Sequence, residues 1–456
     1  MVGPGMARPR VLLALLGGLL LGSLAPGSLA RATPPDTTGF GARANALGGA
    51  VTADVDDGAA NYFNPAGLAR AEGLTLGLGY FSLHSRLSIE GSDSEVERIG
   101  GLELGVAAPA SFGWLKIAFG LGLQLPDQRL SRTRSAVPER PRWEMYDTRP
   151  HRVFLAANLG LRLFDWLYLG GGIIFQSPSQ MYVEIRGDAD IVSPERRTHL
   201  EHQFKGDLIS QRYPIFGAQL RASDWLSVGL TYRGSVTLDN GVQAIIDGHF
   251  TGLGDPIPVD FYLQSLALGL FAPQQLALGI ALRPSPRLRL GVDLTWIDWS
   301  GHGSLISRDE VRLDVAVPPG VDLSIPDRIV GRSAIPLGLS DTLVTRLGAE
   351  YALHDSEVYG LDLRGGYVYQ PTPFPAQTGI TNFVDSDRHI FTLGAGLALR
   401  DLEPTVAGEL RLEGSLMLAL LPERMHQKRS LVDPVGDYRG GGWQFGFNLG
   451  VGLAFR

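Results

Sequence analysis

The 456-residue chain has no cysteine, which excludes disulfides, thiolate metal sites, iron–sulfur clusters and cysteine nucleophiles together. It also lacks a basic surplus: 40 Lys and Arg stand against 47 Asp and Glu, a formal charge of −7. With an isoelectric point near 5.8, the chain offers no electrostatic footprint for nucleic acid. Beyond the N-terminal leader it lacks any unbroken apolar run long enough for a membrane-spanning helix. A mean hydropathy of +0.06 is likewise too low for a bundle of such helices.

What the chain has in excess is glycine. Its 59 glycines are about 13% of the residues, nearly twice the usual share. They follow no collagen period but alternate with leucine, as in Gly-rich β structure of an envelope compartment.

Residues 1–30 read as a signal peptide. Arg8 and Arg10 form a basic start, Val11 to Ala25 an apolar stretch, and Ser28-Leu29-Ala30 a small-residue cleavage site. The Gly17-Gly18 pair and Pro26 argue against a retained anchor. Cleavage removes two arginines and takes the charge from −7 to −9.

The rest of the chain repeats one pattern. In 443–455, Trp443, Phe445, Phe447, Leu449, Val451, Leu453 and Phe455 alternate with Gln444, Gly446, Asn448, Gly450, Gly452 and Ala454. Strict period two puts the two sets on opposite faces of a strand. The rule recurs in Leu115/Ile117/Phe119/Leu121/Leu123 and in Leu288/Leu290/Val292/Leu294/Trp296. The runs are about 10–13 residues long, more than soluble sheets use and right for a tilted bilayer crossing. One face is Leu, Val, Ile and aromatic; the other carries paired charges, as in a barrel with lipid outside and a polar lumen.

Such runs fall at 73–84, 101–109, 114–125, 152–163, 166–176, 210–222, 225–237, 274–283, 287–299, 342–352, 358–369, 388–400, 405–419 and 443–455. This predicts an all-β fold, a 14-stranded antiparallel transmembrane β-barrel occupying 73–456 of the Gram-negative outer membrane. Connections alternate between short and long, as periplasmic turns and external loops do. Trp114, Trp166 and Trp225 at short turns, with Trp296, Trp299 and Trp443 at long-loop ends, are expected to form two aromatic girdles. Phe455 is penultimate, where a terminal aromatic is the usual assembly signal.

Residues 31–72 do not alternate. They contain Gly39-Phe40-Gly41-Ala42, the acidic Asp54, Asp56 and Asp57, and Asn61-Tyr62-Phe63-Asn64-Pro65-Ala66. In this order, immediately before the first strand, they resemble the N-terminal hatch of the FadL/TodX-type outer-membrane transporters of long-chain fatty acids and hydrocarbons. Lys205-Gly206-Asp207, Leu230-Thr231-Tyr232-Arg233, Trp296 to Ser300, Pro373 to Gln377 and Asp385-Ser386-Asp387-Arg388 extend the resemblance over most of the chain. It implies capture of an apolar molecule by the third and fourth external loops and binding in the barrel. Hatch movement would then release the molecule, with a lateral exit at a kinked third strand.

Within that frame Phe40, Asn64, Pro65 and Ala66 are the candidate hatch residues. The external loop 238–273 is unusually apolar, and Phe250, Phe261, Leu266 and Phe271 in it are candidate ligand contacts; 261–271 reads equally as a strand extension or a helix packed on the barrel rim, which is compatible with that role. Arg233 and Arg388 are candidates for a substrate carboxylate. Gly120 and Gly122, with Pro109 removing a ladder donor nearby, are candidates for the lateral opening. The inward charges Arg289, Asp293, Arg346, Glu350, Asp362, Arg364, Glu409, Arg411 and Glu413 are expected to form a ladder that fills the lumen and grips the hatch. No cofactor or metal is expected. The expected partners are hydrophobic small molecules, outer-membrane lipid and the barrel assembly machinery.

Other functions are weighed against this one. No Gly-x-Ser-x-Gly elbow marks a hydrolase. His199, Glu201 and His202 with Glu195 have metal-ligand character but read better as a solvated loop. A non-transporting FadL-like scaffold in protein secretion and a general porin remain alternatives.

Overall fold

The computed structural model describes residues 35–113, 115–130, 140–147, 151–176, 179–190, 199–208, 210–251, 257–301, 308–315, 328–330, 337–400, 402 and 408–455. The signal-peptide reading of 1–30, together with Trp114 and Glu195, lies outside them.

Fourteen strands close into one antiparallel barrel. They are β1 Thr75–Ile89, β2 Ile99–Phe112, β3 Leu115–Pro126, β4 Phe154–Phe164, β5 Leu167–Gln176, β6 Gln211–Arg221 and β7 Leu226–Arg233. The second half is β8 Gln275–Ser285, β9 Leu288–Ile297, β10 Thr342–Asp355, β11 Tyr359–Gln370, β12 Arg388–Leu399, β13 Glu409–His426 and β14 Tyr438–Ala454. Each pairs with its sequence neighbour, and β1 closes the ring by pairing with both β2 and β14. The period-two pattern accounts for the two faces. Leu78, Leu449, Leu393 and Leu416 are each more than half exposed, towards lipid. Asn448, Gln444, Glu103, Gln124 and Asn158, on the opposite parity, are buried. No helix among the described residues is long and apolar enough to cross a membrane; the strands make the crossings.

The long connections lie at one rim, and three of them carry a second, six-stranded sheet. Loop 238–273 is therefore not a loop. Strands Val236–Thr251 and Ile257–Ala272 prolong the β7–β8 hairpin beyond the rim, so the apolar run belongs to a strand pair. Val236–Thr251 also pairs in parallel with Ser179–Asp190 of the preceding connection. Phe250, Phe261, Leu266 and Phe271 lie on this hairpin, and their side chains fall outside what is described. His199 and His202 stand exposed on strand His199–Leu208. Among the described residues no group of three or more His, Asp or Glu is placed to hold a metal.

On the other side of the same rim, an apolar cluster caps the mouth. It contains Trp143, Tyr146, Trp299, Phe374, Phe383 and Tyr438. Trp299 is thus buried, at 3% exposure, and does not belong to a girdle. Trp166, Trp225, Trp296 and Trp443 do face outward.

Residues 35–71 lie inside the barrel as three short helices, Pro35–Thr38, Ala42–Ala46 and Ala60–Phe63, followed by the 3-10 helix Pro65–Arg70. Its apolar side chains Phe40, Leu47, Val51, Tyr62 and Leu68 pack against inward residues such as Phe154, Ile174 and Ile215 in one core.

Candidate functional site

The lumen segment is seated by side chains that replace the backbone partners its short helices cannot supply. Asn64 caps the 3-10 helix: its Oδ1 accepts from the Ala66 amide at 3.1 Å. Its Nδ2 donates to Thr52 O at 2.8 Å and to Ala218 O of β6 at 3.0 Å. Pro65 follows at the first position of that helix, where its fixed φ and missing N–H cost nothing. Ala66 is fully buried behind it. Asn61 makes the corresponding contact further round the wall, donating to Val106 O of β2 at 2.9 Å and Leu121 O of β3 at 3.1 Å.

Inward glycines make these approaches sterically allowed. A Cβ on Gly120 would fall 2.3 Å from Asn61 Oδ1, and one on Gly122 2.8 Å from Asn61 Cβ. The two candidates for a lateral opening therefore receive the lumen segment. Strand β3 itself is continuous: it pairs with β2 from Gly101↔Pro126 to Phe112↔Leu115 and with β4 from Lys116↔Arg162 to Gln124↔Phe154. Neither ladder shifts register, so this form shows no gap at the third strand.

The inward charges grip the segment as expected. Arg43 donates to both oxygens of Glu350, at 3.0 and 3.1 Å. Arg364 binds the same Glu350 and also Glu413. Asp54 is paired with Arg289, whose Nε lies at 2.7 Å. Asp293 accepts from the Val51 and Thr52 amides at 3.2 and 2.9 Å. Arg233 belongs to the same grip. It bonds to Asp36 at 3.2 Å, Gln275 at 2.9 Å and the Tyr62 carbonyl at 3.1 Å, and its guanidinium lies 4.2 Å from the centre of the Tyr62 ring. Its guanidinium already holds the Asp36 carboxylate of the segment, so it is an anchor rather than a free carboxylate receptor.

Beside a small cavity of about 20 Å³ between Arg233, Asp293 and Arg346, two larger ones lie on either side of this packing. The upper one, about 80 Å³, lies towards the capped mouth between Tyr62, Phe81, Met417 and the two arginines Arg346 and Arg388. The lower one, about 340 Å³, lies towards the short turns. It is lined by Phe40 and Glu103 and by the glycines of β1 and β14. Phe40 packs edge-on against Phe154, with ring centres 5.7 Å apart.

Arg388 is the sequence candidate that does face a cavity. It is 2% exposed. Its Nη2 reaches Thr37 O at 3.4 Å, and its guanidinium lies 5.8 Å from the Tyr146 ring centre. Its Nε has no hydrogen-bond partner. Arg346 donates to Thr295 Oγ1 at 2.7 Å. Among the described residues neither arginine forms an ion pair, unlike Arg43, Arg233, Arg289 and Arg364 around them. Asp293 stands directly across the β9–β10 ladder from Arg346, and Asp36, which lines the same cavity, is already paired with Arg233. Two buried arginines against that one shared carboxylate leave the cavity a positive surplus that favours negative charge.

Three contributors escaped the sequence reading. Arg346 stood there only as a ladder charge, and its unpaired state depends on contacts that no strand pattern contains. Asn61 is quoted within the hatch motif without a role. Glu103 carried a signal, as the lone acid at inward parity among Gly101, Gly105 and Ala107.

A closed fourteen-stranded barrel with a lipid-facing band, a filled lumen and internal cavities defines an outer-membrane transport protein. The chain belongs to the outer membrane protein transport protein family (OMPP1/FadL/TodX), which matches residues 30–405. It is accordingly an outer-membrane transport protein and not an enzyme. Among solved structures it is similar to a FadL homologue from Pseudomonas aeruginosa, at 15% identity over 94% of this chain and 100% of that one, with a TM-score of 0.57. It is also similar to the Pseudomonas putida toluene transporter TodX, at 15% identity over 94% and 100% of the two chains, TM-score 0.53. The CymD monoaromatic hydrocarbon channel matches at 14% over 91% and 98%, TM-score 0.53. At such identities the likeness is one of fold. Among curated proteins compared by sequence, none matches.

Proposed function

We propose that this transporter takes up apolar molecules that end in an acid group, long-chain fatty acids being the simplest, rather than neutral hydrocarbons. The observation that carries this reading is the pair Arg346 and Arg388, both lining the upper cavity and neither in an ion pair among the described residues. A carboxylate there satisfies the open Arg388 Nε and offsets the cost of the buried charge. A neutral arene offers no such compensation.

First contact takes place on the external sheet and the apolar cap, where the strands carrying Phe250, Phe261, Leu266 and Phe271 lie. The head group then docks on the arginines, and the alkyl chain passes the hatch, residues 31–72, to the lower cavity. Release needs movement of hatch residues. A lateral exit at β3 would additionally require Gly120 and Gly122 to part from Asn61. The test is binding of a long-chain carboxylate and its matched alcohol to detergent-purified protein and to Arg388→Met. The reading requires a preference for the acid that Arg388→Met removes.

The scaffold alternative keeps the fold without transport. Two cavities flanking the hatch, one with unpaired cations, favour passage over a permanent plug.

A further inference from the structure

The hatch is bolted to the barrel unevenly. Arg43, Asp54, Asn61, Asn64 and the Arg233–Asp36 pair fix most of it by ion pairs or several hydrogen bonds each. The stretch Gly39-Phe40-Gly41 is held far more lightly. The barrel reaches its backbone through Gln124 Nε2, which donates to Gly39 O at 3.1 Å, and through Glu103 Oε2, which accepts the Gly41 amide at 3.0 Å. Both glycines sit at positive φ, +77° and +82°, so Phe40 is a bulky side chain between two hinges of a kind other residues rarely adopt.

This stretch also lies at the boundary of the two cavities. Gly39 lines the upper one, and Phe40 and Gly41 line the lower one. Asn448 lines both. Glu103 stands at the same boundary, 4% exposed. Besides Gly41, it accepts from Asn448 Nδ2 at 2.7 Å and from Gln124 Nε2 at 2.9 Å. Among the described residues it has no cationic partner. A buried carboxylate is therefore held by three neutral donors, one from β3, one from β14 and one from the hatch itself.

We propose that Gly39-Phe40-Gly41 is the gate between the upper and lower cavities, and that Glu103 is the latch that keeps it shut. The proposal rests on the reading of the two cavities as successive stations for one apolar acid. Opening breaks the Glu103–Gly41 bond, swings Phe40 off Phe154, and leaves the remainder of the hatch in place. Glu103 is a positioning residue: it acts on the substrate only through the backbone it holds.

The absence of cysteine makes the test clean. A single Gly77→Cys substitution places a thiol in the lower cavity, where the nearest atom to an added Cβ is Gly105 O at 3.7 Å. Ser415→Cys places one in the upper cavity. Both are exposed, in intact cells, to an alkyl methanethiosulfonate ending in a carboxylate. With wild-type Glu103, the thiol at 415 should react fast and the thiol at 77 slowly.

Glu103→Leu keeps the volume but removes every acceptor, and should raise the rate at 77 by about tenfold, the worth of one charge-assisted hydrogen bond. It should leave the rate at 415 unchanged. Glu103→Gln keeps an acceptor for the Gly41 amide but sets its amide nitrogen against Gln124 Nε2, which also holds Gly39 O, so its rate at 77 should fall between those of wild type and Glu103→Leu. Phe40→Ala, which shortens the gate without touching the latch, should also raise the rate at 77 and serves if the Leu variant does not assemble. An unchanged rate at 77 in both Glu103→Leu and Phe40→Ala overturns the gate alone. No reaction at 415 overturns the uptake reading, and the gate with it.

Discussion

Arg43 of the hatch and Glu350 of β10, 307 positions apart in the chain, form a two-pronged ion pair with contacts of 3.0 and 3.1 Å. Glu350 is shared with Arg364, and Arg364 with Glu413, so one hatch arginine is tied to strands β10, β11 and β13. The hatch is thereby part of the barrel's electrostatics rather than a loose stopper.

Arg43→Met should loosen the hatch without unfolding the barrel. Removing one partner of a buried pair costs about 3–5 kcal/mol when the other charge is left alone. Here Glu350 keeps Arg364, and the expected cost is about 2 kcal/mol. Amide exchange in the hatch should accelerate by roughly 30-fold, while the heat-modifiable mobility that reports an intact barrel stays as it is. A change confined to barrel strands would contradict this.

Asn64 serves as cap and as wall anchor at once, and the two roles separate by mutation. Asn64→Asp keeps the acceptor for the Ala66 amide but loses the donor to Thr52 O and Ala218 O. Asn64→Ala loses both. Exchange of the amides in Pro65–Arg70 should rise in both, by about 1 kcal/mol for the cap in the alanine variant, and further in the aspartate variant, whose second oxygen faces the Thr52 and Ala218 carbonyls in a fully buried site. A milder effect in the aspartate variant would mean that the wall contacts contribute nothing.

Gly120 tests the close approach. In Gly120→Leu the side chain would enter the space of Asn61 and of Leu68, whose Cδ1 lies 2.5 Å from an added Cβ. The barrel should still assemble, since β3 keeps its ladders, but protease should reach the hatch. A protected hatch in this variant would show that the segment tolerates displacement.

The cap over the mouth should respond to acid. Asp385, in the external connection 371–387, is 3% exposed. Burial pushes its carboxyl up to about 6, partly opposed by hydrogen bonds from Thr372 Oγ1 at 2.5 Å and Tyr146 OH at 3.3 Å. A carboxyl whose folded value lies above its unfolded 3.8 favours proton uptake on folding. Its contribution is complete below that lower value and is lost as pH rises through about 6. After correction for the intrinsic rate, amides of 371–387 should exchange more slowly at pH 5 than at pH 7. Asp385→Asn should abolish the difference.

Much of this architecture was legible in the chain because a barrel writes its two faces into every second residue. The fourteen strands follow from that alternation, and the Asn64-Pro65-Ala66 motif stands out because alternation stops before it. What was not legible depends on pairings between distant segments. The parallel ladder between Val242 and Met181 joins two connections of the barrel, and no local pattern announces it. The apolar run at 261–271 therefore left a strand extension and a rim helix equally open, and it is the strand extension. Trp299 sits two residues beyond β9 and looks like a girdle residue, but the neighbouring connections fold over it. Arg233 and Arg388 have the same inward parity; only the acceptors around them show that the first holds the Asp36 carboxylate and the second reaches a backbone carbonyl.

The central claim is that Arg388 and Arg346 receive an acid head group. Its most direct test is native mass spectrometry of the detergent-purified protein titrated with a long-chain carboxylate, the matched alcohol and toluene. The carboxylate should bind at least about tenfold more tightly than the alcohol, as loss of a charge-assisted pair implies, and Arg388→Met should erase that margin. Equal binding of acid and alcohol by the unaltered protein would contradict the claim.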